Sequence, residues 1–222
     1  MQFVYHENAG IDPLVVDLKV YEHLFKVRRM GVEDASLWRN LNDAMLYQYR
    51  ITKIGKKEAE LTLIHSEEKA VLPEKNLFLG WCVIDPKIIE KTLPMLNELG
   101  VFGISFVYAD FSQKNHKLDY ERMKRILINS SQQCGRSSLM QLGEFASVEA
   151  YTKAYPKSQY LDFCDTPLSA SDDVSQVLIG PEGGFSAKER ALIEEAKVVG
   201  LTCKTILRSE TAVVSIASKI LA

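Results

Sequence analysis

The segment Val177-Leu178-Ile179-Gly180-Pro181-Glu182-Gly183-Gly184-Phe185-Ser186 limits the fold more than any other stretch of this chain. A short apolar run of buried-strand type ends in a glycine-rich loop. Ser186-Ala187-Lys188-Glu189 then reads as a capping box, with Ser186 as N-cap and Glu189 reaching back. A buried strand that feeds a capped helix is the repeating unit of a parallel α/β sheet. Ligands of such sheets bind outside the carboxyl ends of the strands. Glycines there let backbone amides come close to a ligand, and Pro181 stiffens the turn. The same residues also suit a plain strand-to-helix turn. The pattern is neither the dinucleotide-binding GxGxxG nor the P-loop GxxxxGK(S/T), so a phosphate cradle of those kinds is not supported.

The rest of the chain changes character near residue 72. Before it, Ala44 to Ile51 and Glu58 to Ile64 alternate with the two-residue period of strands, joined by a turn at Gly55-Lys56-Lys57. Residues 1–70 are therefore expected to form a small β-rich domain, with Val71 to Lys75 as a linker. Residues 71–222 alternate strand-like and helix-like segments. Leu77 to Trp81, Ile104 to Ala109, Gln159 to Phe163 and Gln176 to Gly180 read as strands. Ile88, Thr92, Leu96 and Leu99 mark a helix that Gly100 can close. Met123, Ile126, Leu127 and Ser130 mark a second helix, and Val213, Ile216, Ala217 and Ile220 a last one.

The 27 basic and 29 acidic residues give a net charge of −2, so any nucleic-acid contact must use a local patch. One candidate is 110–136, where six Lys/Arg (Lys114, Lys117, Arg122, Lys124, Arg125, Arg136) face three Asp/Glu. Such a patch suits a nucleic-acid backbone, and mixed charges equally suit a solvated helix face. Lys26, Arg28 and Arg29 form a smaller cluster with the same two readings. Four scattered Cys without a Cys-x-x-Cys pair argue against a disulfide framework or a metal site and fit the reducing cytosol. No apolar stretch approaches the ~20 residues of a membrane helix. The N-terminus shows no secretory signal.

Two further clusters carry chemistry. Ile206-Leu207-Arg208-Ser209-Glu210-Thr211-Ala212 reads as a short strand (Lys204 to Leu207) entering the last helix. Thr211 or Ser209 can cap that helix, and Glu210 complements its positive end. Arg208 at the mouth of the turn suits an anionic partner such as phosphate. Gln133-Cys134-Gly135-Arg136 follows the Met123 helix, where Gly135 is a natural terminator and Arg136 complements the negative helix end.

Taken together, Ile179 to Ser186 and Ile206 to Ala212 closely resemble the two C-terminal signatures of RsmE-type 16S ribosomal RNA uridine-N3 methyltransferases, members of the SPOUT superfamily. Asn97-Glu98-Leu99-Gly100-Val101, Gln133 to Arg136 and His23 to Met30 add matches in the same order. The resemblance implies an α/β fold: a SPOUT-type trefoil-knotted parallel sheet over 71–222 and a small PUA-like, RNA-binding β-barrel over 1–70. It implies S-adenosyl-L-methionine as cofactor, held mainly by backbone groups of Leu178, Ile179, Gly180, Pro181, Glu182 and Gly183, and by Leu207, Ser209, Thr211 and Ala212. Arg208, Glu210 and Arg136 are the candidate catalytic residues, and Lys26, Arg28, Arg29 and Lys114, from the basic clusters, the candidate RNA contacts. The partners implied are 16S ribosomal RNA or the small ribosomal subunit and a second copy of the chain, with no metal and no membrane, in the cytoplasm. Val213, Ile216 and Ile220 are the candidate homodimer contacts, and they equally suit packing within one subunit.

Several positions depart from the family pattern. Leu93 to Leu96 replace a Gln-Lys run, Phe111-Ser112 replaces an Arg-Ser pair, Leu201 to Thr205 lacks the usual Gly, and Phe163-Cys164-Asp165 replaces a Leu-His-Pro turn. Backbone contacts to a cofactor survive such changes better than side-chain contacts to RNA. In the implied chemistry uracil N3 loses a proton, and a cation near the uracil oxygens stabilises the resulting charge. Arg208 and Arg136 are candidates for that role. Glu210 is better suited to orienting an Arg than to accepting a proton; His116 is a candidate base, but a lone His in a Lys-rich loop is more often a surface residue, and no base is assigned. The rival readings are an RNA-binding module with a degenerate, non-catalytic knot, and a SPOUT methyltransferase acting on transfer RNA.

Overall fold

A computed structural model describes residues 2–27, 29–113, 117–164, 167–168, 174–194 and 197–222, without the side chains of Leu18, Lys19, His23, Lys26 and Val27. The chain divides into two compact units, residues 1–72 with 128–139 and residues 73–127 with 140–222.

In the first unit, β1 (Val4–Tyr5) and β2 (Leu14–Val16) precede a short helix α1 (Leu18–Tyr21), which continues into a π-helical turn (Glu22–Val27). Then come β3 (Ala35–Arg39), β4 (Met45–Ile54) and β5 (Ala59–Glu68). They form a five-stranded sheet in the order β1-β3-β4-β5-β2, antiparallel except for the β1–β3 pair. One face of the alternating strands buries Trp38, Tyr49, Ile51 and Leu61 against Leu14, Val16 and Leu24. Residues 128–139 join this unit, which a single cut near residue 70 does not anticipate. Gln132 is the reason: its carbonyl accepts from the Gln2 N–H at 2.7 Å and its side chain from the Tyr5 N–H at 2.9 Å. Ile128 and Leu139 pack on Phe3, Leu41 and Leu46.

In the second unit, β6 (Phe78–Cys82), α2 (Pro86–Leu99), β7 (Gly103–Val107), α3 (Tyr120–Cys134), β8 (Gln141–Phe145) and α4 (Val148–Ala154) alternate regularly. The last residues of α3, from Ile128, count with the first unit. Next come β9 (Gln159–Leu161), β10 (Gln176–Ile179), α5 (Ala187–Arg190), β11 (Val198–Val199) and α6 (Ser209–Leu221). The six strands form one parallel sheet in the order β11-β9-β10-β6-β7-β8. β6, β7 and β10 are nearly continuously buried, as strands covered on both faces must be. The strand order reverses between β6 and β10, which makes the carboxyl edge there the natural ligand crevice.

α2 and α6 pack against each other. Asp85 caps α2 by accepting from the Lys87 N–H at 2.9 Å, and Gly100 ends it at φ 93°. Its buried face is Ile89, Thr92, Leu93, Leu96 and Asn97, turned by one residue from the expected Ile88-Thr92-Leu96-Leu99 stripe. Ile88 and Ile89 both fit a helical period, and only packing decides between them. The face of α6, with Val213, Ile216, Ala217 and Ile220 buried, matches expectation. These side chains are covered within the chain, so the expected homodimer contact through Val213, Ile216 and Ile220 is corrected. No strand forms over Lys204 to Leu207, which is an irregular loop. Among the described residues, no helix is long and apolar enough to cross a membrane.

Candidate active site

Three segments converge at the carboxyl edge of the parallel sheet: the loop after β10, the turn after β9 and the loop before α6. The hydroxyl of Ser209 joins the first and last. It donates to the Gly180 carbonyl at 2.7 Å and accepts from Trp81 Nε1 at 2.9 Å. Ser209 is 4% exposed and Trp81 is fully buried, so this one hydroxyl satisfies two polar groups where water has little access. Ser209 is therefore not the cap of α6. The N-cap is Arg208, without a side-chain capping bond, and the expected cap at Thr211 or Ser209 is corrected.

The glycine loop is shaped at both ends. Gly184 adopts φ 67°, a left-handed conformation open to glycine, and its N–H donates to the Pro181 carbonyl at 2.9 Å. The expected capping box is present: Ser186 Oγ accepts from the Glu189 N–H at 3.3 Å, and Glu189 Oε2 from the Ser186 N–H at 2.8 Å. The same groups reach across to the loop after β7. Glu189 Oε1 accepts from the Asp110 N–H at 2.8 Å, and Ser186 Oγ donates to Asp110 Oδ2 at 2.6 Å. Arg190 donates to the Phe185 carbonyl at 3.1 Å and, through both terminal nitrogens, to the carboxylate of Asp162.

These segments enclose a cleft of about 640 Å³, within the usual 300–1,000 Å³ of small-molecule sites. Its walls are residues 161–164, 179–185, 190, 200, 201, 203, 205–207, 209 and 212. A cofactor held chiefly by backbone requires glycine where the chain is crowded, and this is observed. A Cβ at Gly200 would lie 2.9 Å from the Cys164 carbonyl oxygen, and one at Gly183 would lie 3.1 Å from Phe111 Cβ. The walls therefore fit S-adenosyl-L-methionine in size and in kind. Among the described residues no group of three or more His, Cys, Asp and Glu is placed to hold a metal ion.

Of the residues expected at the site, Ile179, Gly180, Pro181, Glu182, Gly183, Leu207, Ser209 and Ala212 line the cleft. Leu178 does not; it is buried in the core with Tyr151 and Tyr160. Thr211 is exposed and is not a wall residue. The Arg208 side chain is 81% exposed, with Nη1 3.9 Å from Glu210 Oε1, a loose approach rather than a clamp. Arg136 counts with the first unit and is only 4% exposed, so it is not an open phosphate contact. Burial lowers its pKa from the usual guanidinium range. Gly135 ends α3 at φ 89°, as expected. Arg29 is exposed with φ 57°. The side chain of Lys26, and all of Arg28, Lys114 and His116, lie outside the described residues. Arg122 of the basic patch pairs with Glu90 at 2.7 Å.

Leu161, Asp162, Arg190, Gly200 and Ile206 are wall residues that the sequence alone does not mark as such. Phe163, Cys164, Leu201, Cys203 and Thr205, which lie where the sequence departs from the family pattern, are wall residues too. Nothing local marks the Arg190–Asp162 pair, whose members are 28 residues apart.

Comparison with known proteins bears directly on this cleft. The family profile for an RNA methyltransferase domain matches residues 72–221. A ribosomal RNA small subunit methyltransferase E of Helicobacter pylori is 43% identical over 222 residues, covering 98% of each chain. A Legionella pneumophila protein solved in complex with S-adenosylmethionine as its bound cofactor superposes with a TM-score of 0.82 at 20% identity, over 99% of this chain and 96% of that one. A ribosomal RNA small subunit methyltransferase E of Neisseria gonorrhoeae, also bound to S-adenosylmethionine, gives 0.77 at 21% identity, over 98% and 95%. The α/β fold with a parallel sheet that the sequence leads one to expect is the fold of these structures.

Proposed function

The chain belongs to the RNA methyltransferase family, and from that membership we propose that it transfers a methyl group from S-adenosyl-L-methionine to N3 of a uridine in 16S ribosomal RNA. The observation that carries this reading is the cleft itself. It lies at the carboxyl edge of the parallel sheet, walled by the glycine loop and the turn before α6, inside the region that the family profile covers.

When bound there, the cofactor supplies a methyl group already activated on a sulfonium. What the chain contributes is position. Holding the nucleophile in line with the methyl carbon supplies much of the acceleration. Ile179 to Gly183 and Leu207 offer the cofactor backbone groups, and Ser209 holds these two walls together. Arg208, exposed at the helix entrance, is the proposed cation that meets the uridine and stabilises charge on the uracil oxygens as N3 loses its proton to solvent. Glu210 orients it. Arg136 acts structurally from its buried position. Lys26, Arg28, Arg29 and Lys114 are the proposed phosphate contacts. The protein works in the cytoplasm as a homodimer whose contact uses residues other than the buried face of α6.

The test incubates the full chain with methyl-labelled cofactor and, in parallel, small ribosomal subunits, free 16S RNA and transfer RNA, followed by nucleoside mass spectrometry. The expected result is 3-methyluridine in 16S RNA. Cofactor or RNA binding without transfer, or label confined to transfer RNA, overturns it.

A further inference from the structure

Arg190 and Asp162 meet across two walls of the cleft, and the chemistry proposed above uses neither. Arg190 is the last residue of α5, and its backbone N–H donates to the Ser186 carbonyl at 2.9 Å. Its Nε donates to the Phe185 carbonyl, at the end of the glycine loop, at 3.1 Å. Its two terminal nitrogens take the two carboxylate oxygens of Asp162, the first residue beyond β9. Asp162 is itself held: its N–H donates to the Val199 carbonyl at 3.1 Å, and Oδ1 accepts from the Phe163 N–H at 2.8 Å. The guanidinium also lies over Gly184, where a Cβ would come 3.6 Å from Nη2.

Exposed ion pairs contribute little. This one differs in two respects. The Asp162 side chain is only 12% exposed, and the pairing is two-pronged, the geometry that a planar guanidinium fits and an ammonium cannot reproduce. What it braces is a glycine loop, which has more backbone freedom to lose than any other kind of segment.

We infer that Arg190 and Asp162 are a positioning pair that holds the glycine loop at a fixed spacing from the turn after β9, and so sets the affinity of the cleft for its cofactor. The inference rests on the cleft being the S-adenosylmethionine site, and the experiment separates the two. Cofactor affinity by calorimetry, KM for RNA, kcat at saturating cofactor and melting temperature are measured on the full chain and on Arg190→Ala, Arg190→Lys, Asp162→Asn and Arg190→Ala with Asp162→Asn. Loss of a charge-assisted bond of this kind weakens cofactor binding by about tenfold. KM for RNA and kcat stay within about twofold, because neither side chain is proposed to touch RNA or the reacting atoms. Arg190→Lys does not rescue, and the double variant is no weaker than the weaker single one, as expected of one shared contact. Asp162→Asn, nearly isosteric, carries the test where Arg190→Ala does not fold. An unmutated chain that fails to bind the cofactor overturns the cleft assignment and the inference together. Normal binding by the chain and by its variants overturns the inference alone. So does a parallel fall in affinity, kcat and melting temperature, which marks general loosening.

Discussion

Ser209→Ala tests the buried junction of the site. The substitution removes one hydroxyl and leaves two groups to be satisfied, the Trp81 indole N–H and the Gly180 carbonyl. A buried group left unpaired costs about 1–3 kcal/mol. Trp81 is fully buried and takes the whole penalty, whereas half-buried Gly180 can recruit water. The sum is about 2–3 kcal/mol, or roughly 5–10 °C in melting temperature for a chain of this size. Scanning calorimetry of the apo protein reads it directly. Trp81→Phe supplies the control, since it removes the indole donor. In that background the cost of Ser209→Ala falls by about 2 kcal/mol, because no N–H remains to be orphaned. Loss of indole volume cancels in the cycle. Exposed Thr211→Ala, two residues along the same helix, stays within about 0.5 kcal/mol of the parent. A shift below about 1 °C for Ser209→Ala, or strict additivity with Trp81→Phe, refutes the reasoning.

The remaining expectations concern separate parts of the molecule. Arg208→Ala lowers methyl transfer about a hundredfold while cofactor affinity and melting temperature hold, since the side chain is 81% exposed; a lowered melting temperature in the same preparation refutes the catalytic placement. Gly80→Ala places a Cβ 2.7 Å from both Leu178 Cδ1 and Tyr151 Cζ, so urea unfolding should show a loss of about 1–3 kcal/mol, and an unchanged midpoint counts against that packing. Burial pulls the His6 pKa below its ordinary value, with Asp17 and Glu7 opposing, and neutral Nδ1 accepts from the Asn8 N–H at 3.1 Å. The unfolded chain then binds the proton more readily, so this stability is complete above about pH 6.5 and is lost as pH falls through the folded pKa. Melts between about pH 7.5 and pH 5 should decline, and His6→Gln should flatten that decline; equal slopes exclude the assignment.

Local signals explain which parts of the structure were legible in the sequence. The β10 strand, its glycine loop and the Ser186–Glu189 capping box are contiguous, and their chemistry is fixed within a few residues. Gly100 and Gly135 mark helix ends for the same reason. The rest depends on distant partners. Two-residue β11 exists because Val198 and Val199 pair with β9; both are strand formers by type, but a run of two is too short to mark a strand by itself. Lys204 to Leu207 has strand-like composition, but among the described residues no strand pairs with it, and it is a loop. Ser209 resembles a cap by position, but Trp81, 128 residues away, takes its lone pair instead. Arg136 is basic in composition and buried in fact, a reversal that only the packing of residues 128–139 with the N-terminal strands could produce. The cleft-lining residues expected from the sequence came from the family signatures, and not from periodicity.

The indole of Trp81 has an optical consequence. The chain contains two tryptophans, Trp38 in the first unit and Trp81 in the second, and both are fully buried. Their ring nitrogens donate to different serines, Ser36 at 2.8 Å and Ser209 at 2.9 Å. Each unit thus carries its own built-in emitter, blue-shifted while folded and red-shifted once water reaches it. A Trp38→Phe protein glows from the junction beside the cleft alone, so its emission follows the α6 entrance as cofactor or denaturant is added. Trp81→Phe leaves a light source confined to the N-terminal sheet. With these two single-emitter proteins, the order in which the halves of the chain melt can be read without any attached dye.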